Sequence, residues 1–329
     1  MSVAASLLLV VVRRAAYSVT MRLRNAYCRF CAALAVCLAL LLPVPALAET
    51  DALGEAHRAY ENGDYGAALK EFNRGVGEGS AEAAYWLGLL YDRGHGVSRD
   101  PRTAYQWFSK AAEQGHGEAQ RVIGVYLELG KVLKQDFVQA AVWYGHAVRR
   151  NNAKAMRNLA QLYVRGQGVS RDLARAGRLL RRAADLGNAK AMRNLGYMYY
   201  FGRGVIRDRA KAASLFQSAA AAGLEKARYN LGFVHYNGDG MPRDLALAAY
   251  YFGQAAEGGN GDAQLMLSRM YLLGEGVEID FAKAFFWALL GAVQKPVLAE
   301  WYFDKLRGKL SVNQMDRIRA QSKAWHPKG

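Results

Sequence analysis

Residues 191–208 read AMRNLGYMYYFGRGVIRD, and variants of this stretch return every 36 residues on either side of it. Its leading alanine belongs to a ladder, Ala83, Ala119, Ala155, Ala191, Ala227, Ala263 and Ala299, that never slips. Seventeen residues after the first six of these stands an aspartate: Asp100, Asp136, Asp172, Asp208, Asp244 and Asp280. Twenty-one residues after them stands a second alanine: Ala104, Ala140, Ala176, Ala212, Ala248 and Ala284. Periods of about 20–50 residues mark chains built by stacking one supersecondary unit on the next. Three ladders held in step over six units exclude coincidence.

The spacing predicts two helices per unit. In the first, the leading alanine, an aliphatic residue four on (Leu87, Ile123, Leu159, Leu195, Leu231, Leu267) and usually a tyrosine eight on share one face. Position five is small: Gly88, Gly124, Ala160, Gly196, Gly232 and Ser268. A glycine inside a helix costs about 1 kcal/mol against alanine, so the position implies a packing constraint, which we read as close approach of a neighbouring helix backbone. The helix ends at Gly94, Gly130, Gly166, Gly202, Gly238 or Gly274, the left-handed position that glycine adopts readily.

The laddered aspartate then caps the second helix by accepting orphan N–H groups, and Pro101 after Asp100 suits the first helical position. The second helix is expected to bury Trp107, Trp143, Leu179, Leu215, Tyr251 and Trp287 among alanines. It stops at Gly115, Gly187, Gly223 or Gly259. Two units depart from this pattern. The unit from Ala119 has Val132 for the second loop glycine and Asn151 for the closing one, so different loops are expected there. The unit from Ala263 has Lys295 at the closing position.

Residues 191–208 resemble the pattern A-x-x-x-L-G-x-x-Y-x-x-G-x-G-V-x-x-D of the Sel1-like repeat family, relatives of the tetratricopeptide repeat. Ala111-Ala112-Glu113-Gln114-Gly115 is similar to the family's usual ending. The resemblance implies an all-α chain, an α/α superhelical solenoid of 36-residue helix-turn-helix repeats. On this reading residues 83–298 hold six Sel1-like repeats, 49–82 form a tetratricopeptide-like capping hairpin, and 299–329 a C-terminal capping helix and tail. Terminal units need such caps because each has one unpaired face. At the C-terminal end Leu310, Met315, Ile318 and Trp325 are placed to cover the last repeat.

The 329 residues are 52% hydrophobic and 11% aromatic, which excludes disorder, since enough apolar surface is present to offset chain entropy. All three cysteines, Cys28, Cys31 and Cys37, lie in the first 48 residues. That segment carries Arg22, Arg24 and Arg29, an apolar run from Cys31 to Leu42, and then Ala46-Leu47-Ala48 before Glu49. The order fits a secretory signal peptide cleaved near Ala48, with Met21 as an alternative start. The expected location is therefore periplasmic or secreted. A lipoprotein is disfavoured by Val36 before Cys37, and a membrane anchor by the short apolar run. Beyond residue 48 there is no cysteine, hence neither a disulfide framework nor a thiolate nucleophile.

Other chemistry is equally sparse. No two histidines lie four residues apart, and His95 and His116 fall between helices. The Gly202-Arg203-Gly204 type of turn follows a helix instead of a strand, so it is repeat geometry and not a phosphate cradle. No catalytic residue, metal or cofactor is expected. Some cysteine-rich Sel1-like proteins are associated with β-lactam binding or hydrolysis, but this chain lacks their paired cysteines.

Binding is the remaining class. Positions three, seven and ten beyond the leading alanine are expected to form a stripe beside the buried face. Position three reads Asn158, Asn194 and Asn230 in the three middle units, which resembles the asparagines with which tetratricopeptide proteins hold a peptide backbone. An amide there equally serves a neighbouring carbonyl within the repeat. Arg157 and Arg193 stand beside them.

The formal charge is +16. Setting aside residues 1–48, with five arginines and no acid, leaves 39 basic against 28 acidic side chains, a net +11. The surplus concentrates between Arg149 and Arg182, where ten basic residues, Arg165, Arg175, Arg178 and Arg182 among them, face the single acid Asp172. Arginine suits bidentate contact with carboxylate or phosphate.

The expectation is thus a non-enzymatic protein–protein interaction scaffold in the periplasm or cell envelope. Its partner would be a protein or peptide with an acidic surface, not a nucleic acid. The resemblance implies envelope signalling, exopolysaccharide or secretion assembly as settings. One alternative is a cell-wall or β-lactam-acting enzyme. Another is a module that binds anionic glycan or lipid headgroups through the arginine-rich third repeat.

Overall fold

The computed structural model describes residues 45–327, with side chains described from residue 53. The leader, with its three cysteines, falls outside the described residues as far as residue 44. Among the described residues there are sixteen α-helices and no strand, and no helix is long and apolar enough to cross a membrane. They form two compact units that divide between Ala83 and Ala84.

In the first unit α1 (Pro45–Glu61) and α2 (Tyr65–Gly77) make a hairpin. Gly63 turns the chain at φ +79°, and Asp64 caps α2 by accepting from the Ala67 N–H at 3.0 Å. Ala56, Ala68 and Phe72 are fully buried, with the His57 ring 5.6 Å from Phe72.

The repeats supply the remaining helices but two. Repeat one holds α3 (Ala81–Arg93) and α4 (Pro101–Glu113), and repeat two α5 (Gly117–Leu129) and α6 (Phe137–Arg149). Repeat three holds α7 (Ala153–Arg165) and α8 (Leu173–Asp185), and repeat four α9 (Ala189–Phe201) and α10 (Arg209–Ala221). Repeat five holds α11 (Glu225–Asn237) and α12 (Leu245–Glu257), and repeat six α13 (Gly261–Leu273) and α14 (Phe281–Ala292). From α5 to α14 each helix packs on the one before and the one after it. All six laddered aspartates cap as expected, for example Asp172 accepting from the Arg175 N–H at 2.8 Å.

The small residue at position five has a different cause from the one expected. A Cβ on Gly88, Gly124, Gly196 or Gly232 would lie 2.5–2.8 Å from an aromatic ring, Phe108, Tyr144, Phe216 or Phe252 respectively. What comes close is therefore a side chain of the second helix, not a helix backbone. This ring ladder, one residue after the tryptophan-rich one, is the true core of the second helix. Phe108, Tyr144, Phe216 and Phe252 are at most 2% exposed, whereas Trp107, Trp143, Leu215, Tyr251 and Trp287 are half-buried. Repeat three pairs Ala160 with Leu180 at these positions, and repeat six pairs Ser268 with Ala288.

Close backbone approach does occur, at the second loop glycine. A Cβ on Gly204 would sit 2.5 Å from the Leu173 carbonyl at the start of α8, and Gly168, Gly240 and Gly276 meet Phe137, Arg209 and Leu245 in the same way. Only glycine lets each loop lie on the preceding repeat. Repeat two, with Val132 there, has no left-handed residue at that position, whereas Asn151 keeps the left-handed closing turn at φ +57°.

The C-terminal segment is two helices, α15 (Pro296–Leu306) and α16 (Val312–Ala324), turning at Gly308 with φ +74°. Ser311 and Gln314 form a capping box at the start of α16. Leu310, Met315 and Ile318 pack with Phe285 and Leu306, and Trp325 sets its edge against Trp287 at 6.4 Å.

Candidate functional site

The first helices of repeats three to six present a groove, and helical geometry decides which positions line it. At 100° per residue, position seven falls within 20° of the leading alanine and belongs to the buried face. Tyr126, Leu162, Met198, Val234 and Met270 are accordingly buried, yet Met198 and Val234 still line the hollows between the helices, so the expected stripe holds there with its middle position sunk into the core. Position six joins them, so the lining runs through positions three, six, seven and ten. In repeat four these are Asn194, Tyr197, Met198 and Phe201.

Three hollows follow one another along this line. The first, about 380 Å³, lies between α7 and α9 over Gln161, Val164, Asn194, Tyr197 and Phe201. The second, about 190 Å³, lies between α9 and α11 over Tyr197, Phe201, Tyr229, Asn230 and Phe233. The third, about 370 Å³, is lined by Tyr229, Met266, Arg269, Trp301 and Tyr302 from α11, α13 and α15. Tyr197 and Phe201 line the first two, and Tyr229 lines the last two, so neighbouring hollows share walls and the three follow one another as a partitioned channel, apolar in the first two and with Asp262 and Arg269 in the third.

Tyr197 and Phe201 stand one turn apart with rings 6.3 Å apart and nearly parallel. Arg193 lies over the Tyr197 ring at 5.0 Å and Arg203 over Phe201 at 5.2 Å. Such guanidinium–ring contacts hold a charge at the rim without an ion-pair partner. The Tyr197 hydroxyl donates to Asn230 Oδ1 at 2.7 Å, which ties repeat four to repeat five. Asn230 is 4% exposed, and its Nδ2 has no hydrogen-bond partner. The Nε of Arg193 is likewise buried and unpartnered. Burial, reinforced by the charge of Asp262, pushes the Tyr229 hydroxyl up to about 12.

The expected binding residues thus part into three groups. Asn194, Asn230 and Arg193 gather around Tyr197. Asn158 and Arg157 belong to a network one repeat earlier. There the Tyr144 hydroxyl bonds Glu128 at 2.5 Å and also Asn158, while Arg157 donates to Asn158 Oδ1 at 2.6 Å. Burial lowers the Arg157 pKa below its ordinary value, and burial together with Glu128 pushes the Tyr144 hydroxyl well up.

The third group is the arginine surplus. Arg165 is exposed at the end of α7. Arg175, Arg178 and Arg182 form an exposed row on α8, a second helix that contributes only Leu173 and Leu180 to the first hollow. Arg182 reaches Asn151 at 3.3 Å, beside Arg149 and Arg150 at the end of α6. Arg175 lies over the Tyr163 ring at 4.7 Å.

Phe201 stands at position ten of the expected stripe, whereas sequence reasoning missed Tyr197, Tyr229, Phe233 and Trp301. Tyr197 and Phe233 share position six of neighbouring repeats, and Tyr229 and Trp301 share position two, but neither position is aromatic throughout the array, so no full ladder marks them. His116 caps α5 by accepting from the Ala119 N–H at 3.1 Å, and His235 stacks on Tyr251 at 5.7 Å. Among the described residues no three His, Cys, Asp or Glu side chains cluster to hold a metal. What the channel offers is apolar walls, hydrogen-bond donors and positive charge.

A family model described as Sel1 repeat matches six consecutive stretches: residues 81–116, 117–152, 153–188, 189–224, 225–260 and 261–293. The crystal structure of a Sel1 repeat protein from Oxalobacter formigenes is 30% identical over 73% of this chain and 96% of that chain, with a TM-score of 0.67. The protective antigen c5321 of uropathogenic Escherichia coli, described as displaying an SLR fold, is 26% identical over 84% of this chain and 68% of that chain, also with a TM-score of 0.67. No curated protein matched.

Proposed function

This chain belongs to the Sel1 repeat family, and from that premise we propose that it is a non-enzymatic scaffold which holds a segment of another protein in its channel. The observation that carries the reading is the run of three hollows joined through Tyr197, Phe201 and Tyr229. Its walls are aromatic, and aromatic side chains with arginine are the residues that most often dominate protein–protein binding. Asn194, Asn230 and Arg193 supply polar contacts beside them. The proposed setting is the periplasm or cell envelope, supported by the signal-like pattern that ends at Ala48.

The test is photocrosslinking in living cells with a benzophenone amino acid in the channel at Phe233, and on α12 at Tyr250, an exposed position outside it. Protein adducts from position 233 and none from 250 are expected. Equal labelling, or none at 233, overturns the channel as the binding surface. Cell fractionation checks the location, and recovery in the cytosol overturns it.

A second reading rests on the exposed Arg175, Arg178 and Arg182 row beside Arg149 and Arg150. It predicts retention on an anionic glycan or lipid surface that weakens steeply with salt, since exposed charges are screened over about 8 Å at physiological ionic strength. Retention indifferent to salt overturns it.

A further inference from the structure

We propose that the edge of the array formed by the first loops of repeats two, three and four rests on an anionic lipid surface. This builds on the second reading above, in which exposed arginines meet an anionic surface. It adds what that surface is made of and which side chains enter it.

The edge follows from the repeat. Residues 130–136, 166–172 and 202–208 each join the first helix of a unit to the second. Gly168 sets the second of these loops on Phe137 at the start of α6, and Gly204 sets the third on Leu173 at the start of α8. The three loops therefore lie side by side. Lys131, Lys134, Arg165, Arg171, Arg203 and Arg207 are exposed in them or next to them. Among the described residues only Lys131 of these has a carboxylate partner, Asp92 at 3.6 Å. The acids of the same loops, Asp136, Asp172 and Asp208, are engaged as helix caps, where the positive helix end offsets their charge. Arg171 stands four residues before Arg175, so the α8 row opens from this edge.

Aliphatic side chains share the edge, and they decide the kind of anion. Leu129 is 60% exposed, Leu133 48% and Ile206 91%. The fold does not require two of them. Ser98 and Ser170 take the place of Ile206 in repeats one and three, and Asn237 takes that of Leu129 in repeat five. A hydrated acidic glycan offers such side chains little apolar contact, whereas a bilayer interface takes up aliphatic side chains flanked by lysine and arginine. The core of a protein interface is apolar and poor in charge. Here Leu129 and Leu133 of repeat two are separated from Ile206 of repeat four by the arginines of repeat three.

The experiment is flotation of the full chain with vesicles of phosphatidylcholine, alone or mixed equally with phosphatidylglycerol, beside retention on immobilised polygalacturonate. Flotation with the mixed vesicles and not with the neutral ones is expected. Ile206→Ser with Leu129→Asn copies residues that other repeats carry, so the fold is kept. The pair should weaken vesicle binding about tenfold and leave retention on polygalacturonate unchanged. Arg171→Gln with Arg207→Gln, which copies Gln135 of repeat two, should weaken vesicle binding by about tenfold or more. A polarity-sensitive fluorescent amino acid should shift to the blue on mixed vesicles at position 206, and not at position 250 on α12. Blue shifts at both positions, or at neither, overturn the inference. So does vesicle binding that the aliphatic pair leaves intact, which keeps the second reading as attraction between charges alone. Firmer retention on polygalacturonate than on vesicles assigns the arginines to a glycan and overturns the lipid. Retention on neither overturns this inference and the second reading together.

Discussion

Leu224 stands three residues before Ala227, where Ser80, His116, Asn152, Asn188 and Asn260 each accept a backbone N–H three residues on. Leu224 has no such side-chain acceptor, and the Ala227 N–H turns instead to the Leu224 carbonyl at 2.8 Å. An N-cap asparagine is worth about 1 kcal/mol, so Leu224→Asn should raise the thermal midpoint followed by circular dichroism. A fall would mean that the packing of Leu224 outweighs the cap.

His235 gives a second prediction at this scale. Burial lowers its pKa below the ordinary 6.5, so the unfolded chain takes up the proton first. Stability is then lost as pH falls through about 6.5, because protons favour the state that binds them more tightly. Restoring the ladder residue with His235→Tyr should remove that part of the loss, read as a smaller drop in midpoint between neutral and mildly acidic buffer. An unchanged drop would place the acid sensitivity elsewhere.

The aspartate caps of the second helices were legible because one residue type recurs at one spacing. Those of the first helices were not, because serine, histidine and asparagine do the same work. The asparagines of position three were visible as a ladder, but their orientation was not. A hydroxyl from another element, Tyr144 or Tyr197, engages Asn158 and Asn230, and no spacing within one helix reveals that.

At the scale of the element, the hairpin is set by matching a gap to a ring. Gly196→Ala would place a methyl 2.6 Å from Phe216. Overpacking of this kind costs about 1–3 kcal/mol against a helix-propensity gain of about 1 kcal/mol, and with so short an approach the loss should be on the order of 2 kcal/mol. Adding Phe216→Leu reproduces the Ala160–Leu180 pair of repeat three and should recover much of it. Urea unfolding of the two single variants and the double variant checks this, and strict additivity would show that the two positions are independent. The turn glycines and the aspartate caps of the second helices followed from sequence. The ring ladder did not, since tryptophans one residue earlier drew the reading to the wrong face.

At the scale of the repeat array, hydroxyl–carboxylate ties join neighbours: Tyr126 to Asp92 at 2.6 Å and Tyr236 to Glu275 at 2.7 Å. Asp239, buried in the loop of repeat five, accepts from both Tyr200 and Arg209 of repeat four. Asp239→Ala leaves both donors unmatched and should cost about 2 kcal/mol. Stacked repeats share stability mainly with their neighbours, so hydrogen exchange should rise first in α9–α12 and least in α5 and α6. A uniform rise would show that the array opens as one body. The register was readable from the ladders alone, whereas the channel was not. Its aromatic residues belong to particular repeats, and a property unshared by the other units leaves no periodic trace.

The wall formed by Tyr197 and Phe201 faces two hollows at once, so neither side is a private compartment. A guest residue that tilts these rings on one flank reshapes the seat on the other, and linkage makes that influence mutual. Adjacent seats are therefore energetically entangled, and the affinity of a long ligand will not equal the sum of its fragments.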